Sequence, residues 1–123
     1  MYTIDTNTII YYSKNDQDVE IFLENIFSQN MPIYISVVTE IELLGFSNLT
    51  NNDIEWFESF LKTVTIIPVE SRIARIAGML RRQYKVKTMD SVIAATALIT
   101  GTTLVTRNIN DFKKIPGLLL KKI

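Results

Sequence analysis

Short β-branched runs alternate along the chain with longer segments in which apolar residues recur every three or four positions. The strand-like runs cover residues 2–5, 33–36, 63–69, 102–106 and 117–123. Because helical segments separate these runs, successive strands connect by right-handed crossovers rather than by tight turns. The pattern therefore predicts an α/β three-layer sandwich, in which a mainly parallel central sheet of about 4–5 strands carries helices on both faces.

The helical segments are amphipathic, and their ends carry capping residues. We predict helices at about 6–13, 18–27, 36–46, 51–64, 70–84 and 88–100. Asp16 or Asp18 begins the second helix, and Ser36 caps the third. Thr88 caps the last helix, and Gly101 closes it. The residues predicted to face the core are Val19, Phe22, Leu23, Ile26, Phe27, Ile54, Phe57, Phe60, Leu61, Ile73, Ile76, Ala77 and Leu80.

The composition indicates one globular domain over residues 1–123. Hydrophobic residues make up 47% of the 123 residues, enough to bury a single core, and no segment is compositionally biased. No apolar run reaches membrane-spanning length, and no secretory signal pattern is present. The chain has no cysteine, which excludes a disulfide framework and a thiolate metal site. These features predict a cytoplasmic protein.

Histidine is also absent, and this narrows the possible chemistry. Ser-His and Cys-His nucleophile pairs, histidine-based RNA cleavage and the usual zinc sites are all excluded. Neither a GxxxxGK(S/T) loop nor a GxGxxG loop occurs, so nucleotide-binding folds of those kinds lack support. Any catalysis must therefore use carboxylates, and the cofactor that suits carboxylates is a hard metal ion with oxygen ligands.

The formal net charge is zero, but the charges are unevenly distributed. Residues 15–61 contain nine acids and no Lys or Arg, whereas residues 71–123 contain eleven basic residues and two acids. This asymmetry hints at a polyanionic partner on the basic side. Ordinary solvated helix faces explain the same pattern equally well.

Acidic and amide side chains occur where a parallel α/β sheet binds ligands. Asp5 ends the first predicted strand, in the sequence YTIDTN. Glu42 and Asp90 are embedded in apolar segments, where an unpaired carboxylate is costly to bury. Asn108 and Asp111 follow the fourth strand. A cation shared by several carboxylates would offset this cost, so together these residues predict a site at the carboxyl edge of the sheet.

Each of these acids also has a purely structural interpretation. In this interpretation capping a helix is the only role of Asp5. Asp90 complements the dipole of its helix and caps it together with Thr88. Glu42 can be a surface acid on an amphipathic helix, and Asp111 can cap a short final helix. The two interpretations differ in whether the fold brings these side chains together.

Four sequence blocks occur in an informative order. They are DTN at 5–7, ISVVTEIELLG at 35–45, KTMDSVIAATAL at 87–98 and LVTRNINDF at 104–112. In this order they resemble the PIN-domain ribonucleases, in particular the small VapC toxins of toxin–antitoxin pairs. The resemblance implies a PIN-like sandwich, Mg²⁺ or Mn²⁺ as the cofactor, and endonucleolytic hydrolysis of RNA that leaves a 5′-phosphate and a 3′-hydroxyl.

The resemblance also assigns site residues. The metal carboxylates fall on Asp5, Glu42 and Asp90, and the fourth catalytic position falls on Asn108 or Asp111. Many family members carry Asp directly after TR, where this chain has Asn108, and this change removes a charge from a second metal site. Polar residues that would support the ligands are Thr6, Asn7, Ser36 and Thr106. Basic residues that would steer an RNA backbone are Arg72, Arg75, Arg81, Arg82, Lys85, Lys87 and Arg107.

The resemblance implies two protein partners. One is a second copy of the chain, in a homodimer held by helix faces, and the other is a small antitoxin that fills a groove and blocks the site. The apolar stretches FLENIF (22–27) and IEWFESFL (54–61) suit such surfaces, and core packing explains them equally well.

Two other classes of protein are compatible with parts of the pattern. A catalytically inactive PIN-fold binding or scaffold module is one, and the presence of Asp5, Glu42 and Asp90 argues against it. A receiver-like phosphoacceptor domain is the other. Such a domain requires an acidic pair after the first strand and an Asp at the third strand. The third predicted strand, TVTIIPV (63–69), contains no Asp.

Overall fold

The computed structural model describes all residues 1–123, and strands alternate with helices as predicted. The five strands are β1 (Tyr2–Ile4), β2 (Ile33–Ser36), β3 (Thr65–Ile67), β4 (Thr103–Thr106) and β5 (Leu120–Lys122). The seven helices are α1 (Thr6–Ser13), α2 (Gln17–Ser28), α3 (Val37–Leu44), α4 (Asn51–Leu61), α5 (Ser71–Tyr84), α6 (Thr88–Thr100) and α7 (Ile109–Phe112). None of these helices combines the length and apolar character needed to cross a membrane.

All five strands lie in one sheet in the order β3-β2-β1-β4-β5, and every neighbouring pair is parallel. The prediction of a mainly parallel sheet is confirmed. The chain moves outward from β1 through β2 to β3, and then returns to the other side of β1 with β4. The crevice between β1 and β4 is therefore the topological switch point, where open α/β sheets bind their ligands.

Two apolar cores lie on opposite faces of the sheet. One contains Leu104 with buried residues of α5 and α6, and the other contains Val105 with buried residues of α1, α2 and α4. Consecutive residues of a strand point to opposite faces, so the assignment of Leu104 and Val105 to different cores places helices on both faces of the sheet. The predicted three-layer sandwich is confirmed.

Some predicted boundaries and orientations differ from the structure. β3 begins only at Thr65, because the Thr63 amide still bonds the Phe60 carbonyl at the end of α4. It ends before Pro68, which has no N–H to donate to a sheet. Ile54, predicted to face the core, is 39% exposed because the first turn of α4 lies outside the buried region.

The start of α6 also differs from the prediction. Lys87, rather than Thr88, occupies the N-cap position, and no side chain caps the helix. At the other end Gly101 adopts φ 65° and closes α6, as predicted. The other predicted N-caps agree better, since Asp16 begins α2 and Ser36 begins α3 through side-chain bonds to backbone amides.

Candidate active site

The carboxyl ends of three adjacent strands bring distant polar residues together. Asp5 directly follows β1, and Thr106 is the last residue of β4, which pairs with β1. Glu42 lies on α3, the helix that follows β2. The strand order thus places side chains from both halves of the chain at the crevice between β1 and β4.

Asp5 is the most constrained acid of this group. Its side chain is 5% exposed, and its Oδ1 accepts hydrogen bonds from the Thr8 amide at 2.9 Å and the Thr8 hydroxyl at 2.6 Å. Its Oδ2 accepts a bond from the Thr106 hydroxyl at 2.6 Å. Asp5 therefore caps α1, as the structural interpretation held, and is also held in place from β4 across the sheet.

Thr106 connects Asp5 to the loop that follows β4. Its hydroxyl donates to Asp5 and accepts from the Asn108 amide at 2.9 Å. The Asn108 side-chain amide in turn donates to an oxygen of Asp111. Asn108 occupies the N-cap position of α7 and makes no side-chain capping bond. Asp111 lies inside this helix, so it does not cap it. The two candidates for the fourth position are thus in contact with each other.

Glu42 accepts a hydrogen bond from one hydroxyl of another helix, that of Thr6 on α1. The Thr6 hydroxyl lies 2.5 Å from Glu42 Oε1 and 3.2 Å from the Thr39 hydroxyl. Thr6 therefore supports a candidate carboxylate, as expected. Ser36 instead accepts a bond from the Val38 amide, which makes it the cap of α3.

Asp90 lies in the first turn of α6 and is about half buried. Burial raises the pKa of its carboxyl above the usual range. The negative charges of Asp111, Glu42 and Asp5 raise this pKa further. The positive charge of Lys87 acts in the opposite direction. Burial and the repulsion of these acids therefore oppose the charged form of Asp90, although a position in the first turn of a helix favours a negative charge.

Glu42, Asp90 and the Asn108–Asp111 pair line one open cleft of about 420 Å³, whereas Asp5 is not among its lining residues. Its lining residues are Asn7, Glu42, Lys87, Thr88, Met89, Asp90, Asn108 and Asp111. The potential metal ligands in this cleft are oxygen atoms, and the cleft carries an excess of negative charge. Both properties suit a hard divalent cation. In this arrangement no three acidic side chains are close enough to hold one metal ion between them.

The predicted basic residues fall into three groups. Arg72, Arg75, Arg81 and Arg82 lie exposed on α5. Lys87 lines the cleft, and the Lys85 carbonyl accepts a bond from the Lys114 ammonium at 3.4 Å. Of these predicted basic residues, Lys87 is the one that lines the acidic cleft.

Arg107 neither lines the cleft nor lies exposed as the arginines of α5 do. Its guanidinium forms a two-pronged pair with the Asp16 carboxylate, with both N–O distances 2.7 Å, and stacks 4.4 Å from the centre of the Tyr11 ring. The hydrogen bond from Arg107 lowers the pKa of Asp16. This arginine, predicted to contact RNA, already has partners within the chain.

Sequence reasoning did not identify Thr8 and Thr39, which contact the candidate residues Asp5 and Thr6. Both are fully buried. For Thr8 a signal was present, because a Thr three residues after a helix-capping Asp occupies the position whose amide the cap binds. Thr39 carried no such signal, since its partner lies 33 residues away along the chain.

Comparisons with known proteins agree with the fold. The family model described as PIN domain matches residues 2–118. Ribonuclease VapC19 of Mycobacterium tuberculosis is 28% identical over 96% of this chain and 97% of that protein. The crystal structure of VapBC2 from Rickettsia felis bound to a promoter DNA fragment contains a chain with 29% identity and a TM-score of 0.86, over 99% of this chain and 98% of that one. A toxin–antitoxin complex from Klebsiella pneumoniae contains a chain with 30% identity and a TM-score of 0.81, over the full length of both chains.

Proposed function

The chain belongs to the PIN-domain family, and from that membership we propose that it is a metal-dependent endoribonuclease, the toxin of a toxin–antitoxin pair. Similarity to VapC ribonucleases and to toxin–antitoxin complexes over nearly the whole chain supports this function. The observation that carries the proposal is the group of acids at the crevice between β1 and β4, where burial and, after it, the charges of neighbouring acids raise the pKa of Asp90.

The proposed cofactor is Mg²⁺ or Mn²⁺, and Asp5, Glu42 and Asp90 would hold it after side-chain adjustments that bring the three carboxylates closer together. Asn108 and Asp111, which contact each other, complete the site. When bound, such a cation lowers the pKa of water and offsets the charge that develops on a phosphate. Asp5 contributes a carboxylate of fixed orientation, and Thr106 holds both Asp5 and the loop that carries Asn108. The cleft is open, so a phosphate group can approach the acids that line it.

RNA is the proposed substrate, and the cytoplasm is the proposed place of action. Lys87 lies in the cleft beside Asp90, where its charge can hold a phosphate close to the acids without neutralising all of them. Exposed Arg81 and Arg82 in the last turn of α5 extend the positive surface. These side chains would bind the sugar–phosphate backbone and supply no base recognition.

A cognate antitoxin is the proposed regulatory partner. A groove lined by aromatic residues of α1, α2 and α4 offers it a surface, with Trp56 stacked on Phe60 and Tyr12 edge-on to both. A homodimer held by helix faces remains part of the proposal. Exposed apolar residues on and after α3, Ile41 and Phe46, supply a candidate contact.

The test is RNA cleavage by purified protein with Mg²⁺ or Mn²⁺ and with EDTA. We expect cleavage with either metal, none in EDTA, and none with Asp5→Asn. Asp18→Asn is the matched control, since it removes an exposed acid of α2 outside the cleft. Cleavage that persists in EDTA after verified metal removal would contradict the mechanism. No cleavage by the folded wild-type protein under any condition would favour the alternative of an inactive PIN-fold binding module.

A further inference from the structure

Thr8 donates two hydrogen bonds to the same oxygen of a buried carboxylate. Its amide and its hydroxyl both bond Asp5 Oδ1, at 2.9 and 2.6 Å. The amide bond is an ordinary helix cap, which any residue except proline could supply. The hydroxyl bond is additional, and it depends on the side chain that this position carries.

The hydroxyl of Thr8 has one dominant acceptor. It lies 2.6 Å from Asp5 Oδ1 and 3.4 Å from the Val105 carbonyl. A threonine hydroxyl has a single proton to donate, so the shorter contact receives it. Thr8 is fully buried, so bulk solvent does not reach this bond.

The lone pairs of Asp5 can therefore be counted. A carboxylate offers about four acceptor sites, two on each oxygen. Thr8 fills both sites on Oδ1, and Thr106 fills one site on Oδ2. A single acceptor site on Oδ2 remains free.

We propose that Thr8 is a positioning residue that restricts Asp5 to binding a divalent cation through Oδ2 alone. This inference rests on the proposed function, because it assumes that Asp5 is a metal ligand. The Thr8 hydroxyl blocks the second oxygen and locks the orientation of the carboxylate. Without the hydroxyl, Oδ1 regains a free acceptor site and the carboxylate can rotate. Partners that orient a ligand in this way commonly change metal affinity by about 10–100-fold when removed.

The test compares Mn²⁺ binding, by titration calorimetry or electron paramagnetic resonance, in wild type, Thr8→Val and Thr8→Ser. Thr8→Val keeps the shape and removes the hydroxyl, and we expect Mn²⁺ affinity to fall by about 10–100-fold. Thr8→Ser keeps the hydroxyl and should retain affinity close to that of wild type. Thr96→Val is the matched control, because this buried hydroxyl bonds only the Val92 carbonyl of its own helix.

The outcomes distinguish the role of Thr8 from the proposed function on which it rests. Wild-type affinity in folded Thr8→Val, with Mn²⁺ binding lost in Asp5→Asn, would overturn the role of Thr8 and leave the proposed function standing. Failure of the folded wild-type protein to bind Mn²⁺ would overturn both. If Thr8→Val does not fold, Thr8→Ala carries the same test, and the Mn²⁺-induced rise in melting temperature gives a second readout.

Discussion

Asp90→Asn distinguishes a carboxylate placed for catalysis from one placed for helix stability. The substitution removes one negative charge and keeps the shape of the side chain. Because the folded-state pKa of Asp90 is raised by burial and by its acidic neighbours, the charged form destabilises the folded protein at neutral pH. Removing this charge should therefore stabilise the metal-free protein and abolish RNA cleavage.

The size of the stabilisation is limited by solvent. Each unit of pKa shift corresponds to about 1.4 kcal/mol, but Asp90 is only about half buried. Screening at such a position keeps the expected gain to about 1 kcal/mol or less. In a chain of this size, about 1 kcal/mol corresponds to a rise of about 4 °C in melting temperature. A purely dipole-complementing Asp90 predicts the opposite sign, a loss of about 0.3–1 kcal/mol.

The pH dependence of this difference gives an independent check. A carboxyl with a raised folded-state pKa favours folding while protonated, and this advantage is lost as the pH rises through that pKa. The melting temperature of Asp90→Asn should therefore exceed that of wild type at neutral pH and approach it on acidification. Thermal unfolding in EDTA from pH ~4 to ~8, beside cleavage assays with Mn²⁺, measures both effects. A variant that is less stable and fully active would refute the catalytic role of Asp90.

Four further predictions concern the charged surface and the fourth ligand position. Combined Arg81→Ala and Arg82→Ala should weaken RNA binding and flatten its salt dependence by about one unit of slope per residue; an unchanged slope would make them ordinary surface residues. Arg107→Ala should lower the melting temperature and leave that slope unchanged, because its guanidinium pairs with Asp16. The lowered pKa of Asp16 stabilises the fold above the ordinary Asp pKa and is lost as the pH falls through the lowered value, so Asp16→Asn should reduce the acid sensitivity of unfolding. Asn108→Asp should tighten Mn²⁺ binding in calorimetry by adding a charge to the cleft, and unchanged binding would exclude Asn108 from the site.

Local pattern was sufficient for much of the fold. The alternation of strands and helices, the parallel sheet and most helix ends follow from apolar periodicity and capping residues, which act within one or two turns. The errors lie where a boundary depends on surroundings. Ile54 has the spacing of a core residue, but no element covers the first turn of α4. The cap of α6 falls on Lys87 although Thr88 is the better capping residue type.

The sequence also singles out Asp5, Glu42 and Asp90 as candidate acids, since they stand in motifs that resemble a known family. Their partners were not. Thr106 reaches Asp5 across 101 residues of sequence, and Arg107 reaches Asp16 across 91. Both contacts exist because β4 returns to pair with β1, and no local pattern encodes that strand order. Sequence alone thus determined which acids are present and in which part of the fold each one lies, whereas the tertiary structure decided which hydroxyls orient them and which basic side chains remain free to bind a ligand.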